Sequence, residues 1–116
     1  MIWRWGLDHE DSPVALEYPP GRGDVANAFE WYFDGLPHED RDAVRSILPV
    51  WHSLLAEHGP NYSLSTNSAG AIRRGPDTVE LSSFFKHFEP VVISNALFEE
   101  VVAAYQDFAE HDERYT

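Results

Sequence analysis

Between residues 97 and 109 the apolar side chains return every three or four positions. On a wheel of about 100° per residue, Leu97, Phe98, Val101, Val102, Ala104, Tyr105, Phe108 and Ala109 fill one arc, while Glu99, Glu100, Asp107 and Glu110 fill the opposite one. A segment divided in this way forms a helix and lays its apolar side on a core. Ser94 or Asn95 stands where an N-cap belongs, and Asp112 would return to the apolar arc, so the helix is expected to end near His111.

Two earlier segments share the period. Val25, Ala28, Phe29, Tyr32 and Phe33 fall on one helical face behind Asp24, which stands at the expected N-cap; Trp31 falls outside that face. Asp34-Gly35-Leu36-Pro37 ends this helix. In the longer run that follows, Val44, Ile47, Leu48, Trp51, Leu54 and Leu55 keep one phase up to Gly59-Pro60, with Glu39, Asp40 and Asp42 near its positive end. Pro49 lies inside the run but off its apolar side, which predicts a kink or restart there without a change of face.

Elsewhere the period is two. Trp3, Trp5 and Leu7 alternate with Ile2, Arg4 and Gly6, as along a half-buried strand, and residues 14–18 make the second arm of a hairpin that stops at Pro19-Pro20. Residues 62–66, 71–74 and 78–82, separated by Asn67-Ser68-Ala69-Gly70 and Gly75-Pro76-Asp77, read as an antiparallel meander. Val91-Val92-Ile93 supplies a final strand or an extended lead-in. With 116 residues the chain is the size of one domain, exposing roughly 6,000 to 6,500 Å² when folded. The expected fold is therefore α+β: a single compact domain over residues 1–116, with an antiparallel sheet of four to five strands and three helices packed mainly on one face.

Charge narrows the classes of partner. Twenty Asp and Glu stand against eight Lys and Arg, for a formal charge of −12. Binding to nucleic acid relies on cations that displace counterions from phosphate, and an anionic membrane repels such a surface for the same reason. The expectation is no nucleic acid and no membrane. There is no cysteine, so disulfides, thiolate metal sites and cysteine nucleophiles are ruled out. Residues 1–8 lack the basic segment and apolar run of a signal peptide, and no apolar stretch approaches the roughly 18 residues of a membrane span. A cytoplasmic location is expected.

Motifs that would carry chemistry do not match. His52 and His58 are six residues apart and point in different directions, which does not suit a helical zinc site. His9, His38 and His111 each stand beside two acids, and that spacing selects no metal. Gly-x-Ser-x-Gly is absent, and the glycines form neither a Rossmann fingerprint nor a P-loop. No catalytic residue, metal ligand or cofactor is assigned, and the chain is not expected to be an enzyme.

The acids themselves are grouped. Six fall between residues 94 and 113 with no Lys or Arg among them; Asp34, Glu39, Asp40 and Asp42 form a second group against Arg41, and Asp8, Glu10 and Asp11 a third. Spread evenly over about 6,400 Å², −12 puts only one or two charges on a standard interface of roughly 800 Å² per partner, so a specific cationic target requires clustering. Trp31, off its helix's apolar face and beside Glu30 and Asp34, is a candidate anchor for Arg and Lys of a partner. Trp51, Trp3 and Trp5 are assigned to the core. The expected partner-binding residues are Trp31, Asp34, Glu39, Asp40, Asp42, Glu99, Glu100, Asp107 and Glu110.

These features lead to the expectation of an acidic protein-binding module that neutralises a basic toxin or effector domain, such as one of nuclease type, as an immunity protein or antitoxin does. Size and acidity carry that expectation, and no motif supports a named family. The competing expectations are an acidic homodimeric chaperone for a secreted protein and, behind it, a small carboxylate and histidine hydrolase or isomerase. Oligomeric state and convergence of the acidic groups are not legible at this level.

Overall fold

The computed structural model describes residues 2–116. Strands β1 (Arg4–Leu7) and β2 (Pro13–Glu17) form an antiparallel hairpin, followed by helices α1 (Gly23–Asp34), α2 (Arg41–Arg45) and α3 (Ile47–His58). Strands β3 (Asn61–Ser65), β4 (Ala69–Arg74), β5 (Thr78–Ser83) and β6 (Val91–Ser94) then form an antiparallel meander in sequence order, and α4 (Asn95–His111) closes the fold. The α+β expectation holds, with helices on one face of a four-stranded sheet. The hairpin does not join that sheet.

The reason is that α1 and α4 are apolar on more than one side. Helix α1 packs against β2 on one side and against β4, β5 and β6 on the other, while α4 lies between β1 and strands β5 and β6. Both helices therefore form a middle layer between the hairpin and the sheet. Val25, Ala26, Ala28, Phe29, Tyr32 and Phe33 are all buried in α1, more than a single stripe along a surface helix would bury.

Register sets the two faces of the sheet. Leu64, Ala71, Leu81 and Val91 make one cross-strand row, and Tyr62, Arg73, Val79 and Ile93 the next, all on the side of the helices. Arg73 is the one charged side chain among the described residues that is buried. Its guanidinium donates to Tyr62 Oη at 2.8 Å, to the Pro76 carbonyl at 2.6 Å and to the Gly75 carbonyl at 3.3 Å, so the buried donors are satisfied by its own hairpin.

Two local expectations change. Helix α1 begins at Gly23, with Ala26 N–H donating to the Arg22 carbonyl, so Asp24 lies inside the first turn and not at the N-cap. Its carboxylate accepts from Val25 N–H at 2.8 Å and opposes the positive end of the helix. The second helical run breaks at Ser46 and not at Pro49. Proline lacks the N–H that would bond the Arg45 carbonyl, so the ladder fails one turn earlier and Pro49 falls in the first turn of α3. Gly35 is needed where α1 ends against the β3–β4 turn: its carbonyl accepts from Asn67 N–H, and an added Cβ would lie 2.3 Å from Thr66 Oγ1.

Aromatic contacts tie the layers together. Trp5 meets Phe33 of α1 edge-on at 5.1 Å and Tyr105 of α4 at 5.5 Å, and Trp51 of α3 lies 4.3 Å from Phe98 of α4. Trp3, Trp5 and Trp51 are buried, as expected. Truncating Trp5 to alanine opens a cavity between hairpin and helices, with an expected cost of about 3–5 kcal/mol in urea unfolding. Ile2→Ala, at a position 57% exposed, serves as the control and leaves the midpoint nearly unmoved.

Candidate functional site

The C-terminal end of α4 is where the acidic segments meet. The helix starts on a serine cap, Ser94 Oγ accepting from Leu97 N–H at 3.0 Å, and its apolar arc is buried from Phe98 to Ala109. Its other end is held by Arg41, whose guanidinium donates to the carbonyls of Ala109 at 3.1 Å, Asp112 at 3.3 Å and Tyr115 at 3.0 Å. A cation there satisfies free carbonyls and complements the negative end of the helix. Two backbone bonds, Arg41 N–H to the Thr116 carbonyl and Thr116 N–H to the Glu39 carbonyl, pin the last residues to the loop before α2.

Two further arginines complete the junction. Arg45 donates to both oxygens of Glu110, at 2.5 and 2.7 Å, and to Asp42 at 3.2 Å. Arg114 pairs with Asp112 at 2.9 Å and reaches Asp11 in the β1–β2 turn at 3.3 Å. Arg45 thus ties the acids of residues 39–42 to the end of α4, and Arg114 ties the residues after α4 to the acids of the β1–β2 turn. The Arg45 hydrogen bonds hold the Glu110 carboxyl below the usual range, and those of Arg114 do the same for Asp112. Asp8 is lowered by the Ser12 and Glu10 backbone N–H groups that it accepts from.

Of the residues expected at the site, five gather here in different roles. Asp40 caps α2, accepting from Ala43 N–H at 3.1 Å; Glu39 contributes its carbonyl at a positive φ of 56°; Asp42 and Glu110 share Arg45; Asp107 is exposed. Glu99 and Glu100 do not join them. Glu99 precedes Glu110 by eleven positions, roughly 16 Å along the axis at 1.5 Å per residue. Burial raises the Glu99 carboxyl, but hydrogen bonds from His52 and Asn95, both at 2.6 Å, outweigh it and hold it below its usual value. Asn95 in turn accepts from Trp51 Nε1–H at 2.9 Å, so Glu99 belongs to a network joining α3 to α4.

Trp31 is not a free indole. Its ring stacks on His87 at 3.8 Å, within 3° of parallel, and it lines a shallow depression with Glu30, Asp34 and Pro13. Glu30 is spent on the free edge of the hairpin, accepting from Ala15 N–H at 2.9 Å. Asp34 keeps one carboxylate oxygen buried with no donor among the described residues.

What the sequence reading missed is a groove beside the junction. It lies between β1 and α4, holds about 520 Å³ and opens to solvent; Trp3, Trp5 and Phe108 form its aromatic floor, and Arg4, Asp107, His111 and Asp112 its rim. Arg4 is engaged with Glu17 at 2.6 Å. The period-two pattern did place Trp3 and Trp5 on one side of β1, but no spacing signal brings residue 5 next to residue 108. Chemically, the ionised carboxylates of this rim can accept from cationic groups, and Phe108 is the partly exposed ring of the floor. Among the described residues, no group of three or more His, Asp or Glu is arranged to hold a metal ion, and no helix is long and apolar enough to cross a membrane.

Comparison of the chain with family models, with curated proteins and with solved structures finds no match in any of the three.

The Arg45–Glu110 pair makes a signed prediction. Because Glu110 binds its proton more weakly folded than unfolded, its contribution is full above the ordinary glutamate value near 4.3 and is lost as pH falls through the lower folded value. Arg45→Gln is expected to lower the urea midpoint at neutral pH. The gap to the parent protein should close as pH falls through the lowered folded value, below which Glu110 is protonated in both.

Proposed function

We propose that the protein is an acidic, cytoplasmic protein-binding module that neutralises a basic protein partner, in the manner of an immunity protein or antitoxin, by covering a cationic surface of that partner with the junction at the end of α4. The observation that carries this reading is the convergence of residues 8–11, 39–45 and 107–114. Ten of the twenty acids and three of the eight Lys and Arg fall in those segments, which puts −7 of the −12 on one end of the molecule. That is several times the one or two charges an even spread would give an interface patch.

A field focused in this way raises the encounter rate with a cationic surface and rejects polyanions. The cross-links through Arg45 and Arg114 support the reading because they order the carboxylates before any partner arrives, which reduces the entropy lost on binding. Asp107, Asp42 and Glu113 remain exposed for the partner. The adjoining groove suits the apolar stem of an arginine or lysine whose head reaches Asp107 and Asp112.

The test is kinetic. A basic protein encoded next to this chain, produced separately, should associate at a rate that falls steeply with added salt. Asp107→Asn with Glu113→Gln should slow association about tenfold with a smaller change in dissociation. Neutralising Glu100, on the distant half of α4, should leave the rate unchanged. Salt-insensitive binding, or no binding, overturns the proposal.

A further inference from the structure

We infer that the uncovered face of the four-stranded sheet is the seat of a second copy of this chain. The row Ser63, Ile72, Glu80 and Val92 runs across this face, opposite to the side that carries the helices. Beside it lie Ser65, Gly70 and Ser82, with Asn61, Arg74, Thr78 and Ser94 on the other side. Val92 is 63% exposed and Phe84 52%. The Phe84 ring lies over Gly70, with Cε1 and Cζ 3.5 Å from where a Cβ would stand. Large apolar side chains so exposed on an ordered sheet mark a contact surface.

Charge identifies the occupant. The face holds only Arg74 and Glu80, which pair at 3.4 Å, so its net charge is zero on a molecule of −12. Two copies repel one another across the acidic end, whereas this face opposes approach least. A two-fold axis through it sets Arg74 of one copy against Glu80 of the other, and each contact occurs twice. The short Ser, Thr and Gly side chains around Phe84, Ile72 and Val92 leave room for two such faces to interdigitate at the roughly 10 Å spacing of packed sheets. A basic partner finds no acid excess here. The inference is independent of the function proposed above, and a dimer formed this way leaves the α4 junction free.

The experiment is sedimentation velocity on the full chain over a range of salt. The expected result is a species of twice 13.2 kDa whose population grows as salt rises, because screening weakens the repulsion between the two −12 copies. That is the reverse of the salt response expected for a basic partner. Val92→Lys should weaken dimerisation about tenfold or more while leaving the far-ultraviolet circular dichroism unchanged. Glu80→Arg should also give monomer, and exchanging the pair, Arg74→Glu with Glu80→Arg, should restore the dimer. A single 13.2 kDa species at every salt and up to high micromolar concentration overturns the inference. A dimer indifferent to both Val92→Lys and Glu80→Arg does the same.

Discussion

Phe33 and Tyr105 lie parallel with ring centroids 4.0 Å apart, and this contact makes α1 and α4 a single layer. Everything else is placed relative to that layer. Trp5 closes on both rings edge-on, which seats the hairpin, while Phe29 and Phe98 continue the aromatic packing towards the sheet. Each such pair adds about 0.5–1.5 kcal/mol beyond the apolar area it removes from water. The Tyr105 hydroxyl, buried behind its ring, meets the Tyr115 hydroxyl at 2.5 Å. Burial pushes both phenols up, so they stay neutral and bonded, and the last residues of the chain are drawn onto the core. Arg41 can reach three carbonyls at the end of α4 because Tyr115 is held there.

The distribution of charge follows from the same packing. Burying one arc of α4 turns its acids outward, but outward does not mean together: Glu99 and Glu110 end up on unrelated networks. What gathers acids is the strap at residues 112–116, the loop at residues 37–40 and the arginines that stitch them to the hairpin turn. The surface is divided as a result. One end carries most of the excess charge around an aromatic groove, and the outer sheet face carries none.

Periodicity located α1, α4 with its end at His111, the hairpin and the three strands β3 to β5 of the meander. It could not place the hairpin, because a strand with one buried side looks the same whether that side meets a sheet or a pair of helices. Nor could it place the break at Ser46, which depends on a hydrogen bond that Pro49 cannot donate to a residue one turn behind it. At the site, the sequence separated the acids into three segments and assigned Trp3, Trp5 and Trp51 to the core. The off-face position of Trp31 is visible in sequence, whereas the His87 ring stacked on it is 56 positions away.

The sequence by itself determined the periodic segments, the sides they bury and a net charge of −12. Those properties are local or additive, so a one-dimensional pattern can carry them. The tertiary structure alone decided which acids are neighbours, which are neutralised by arginine and which sheet face stays bare. Charges act at a few ångströms, and the pairs that matter, Arg45 with Glu110 and Arg114 with Asp11, are 65 and 103 residues apart, brought together only by the packing of an aromatic core.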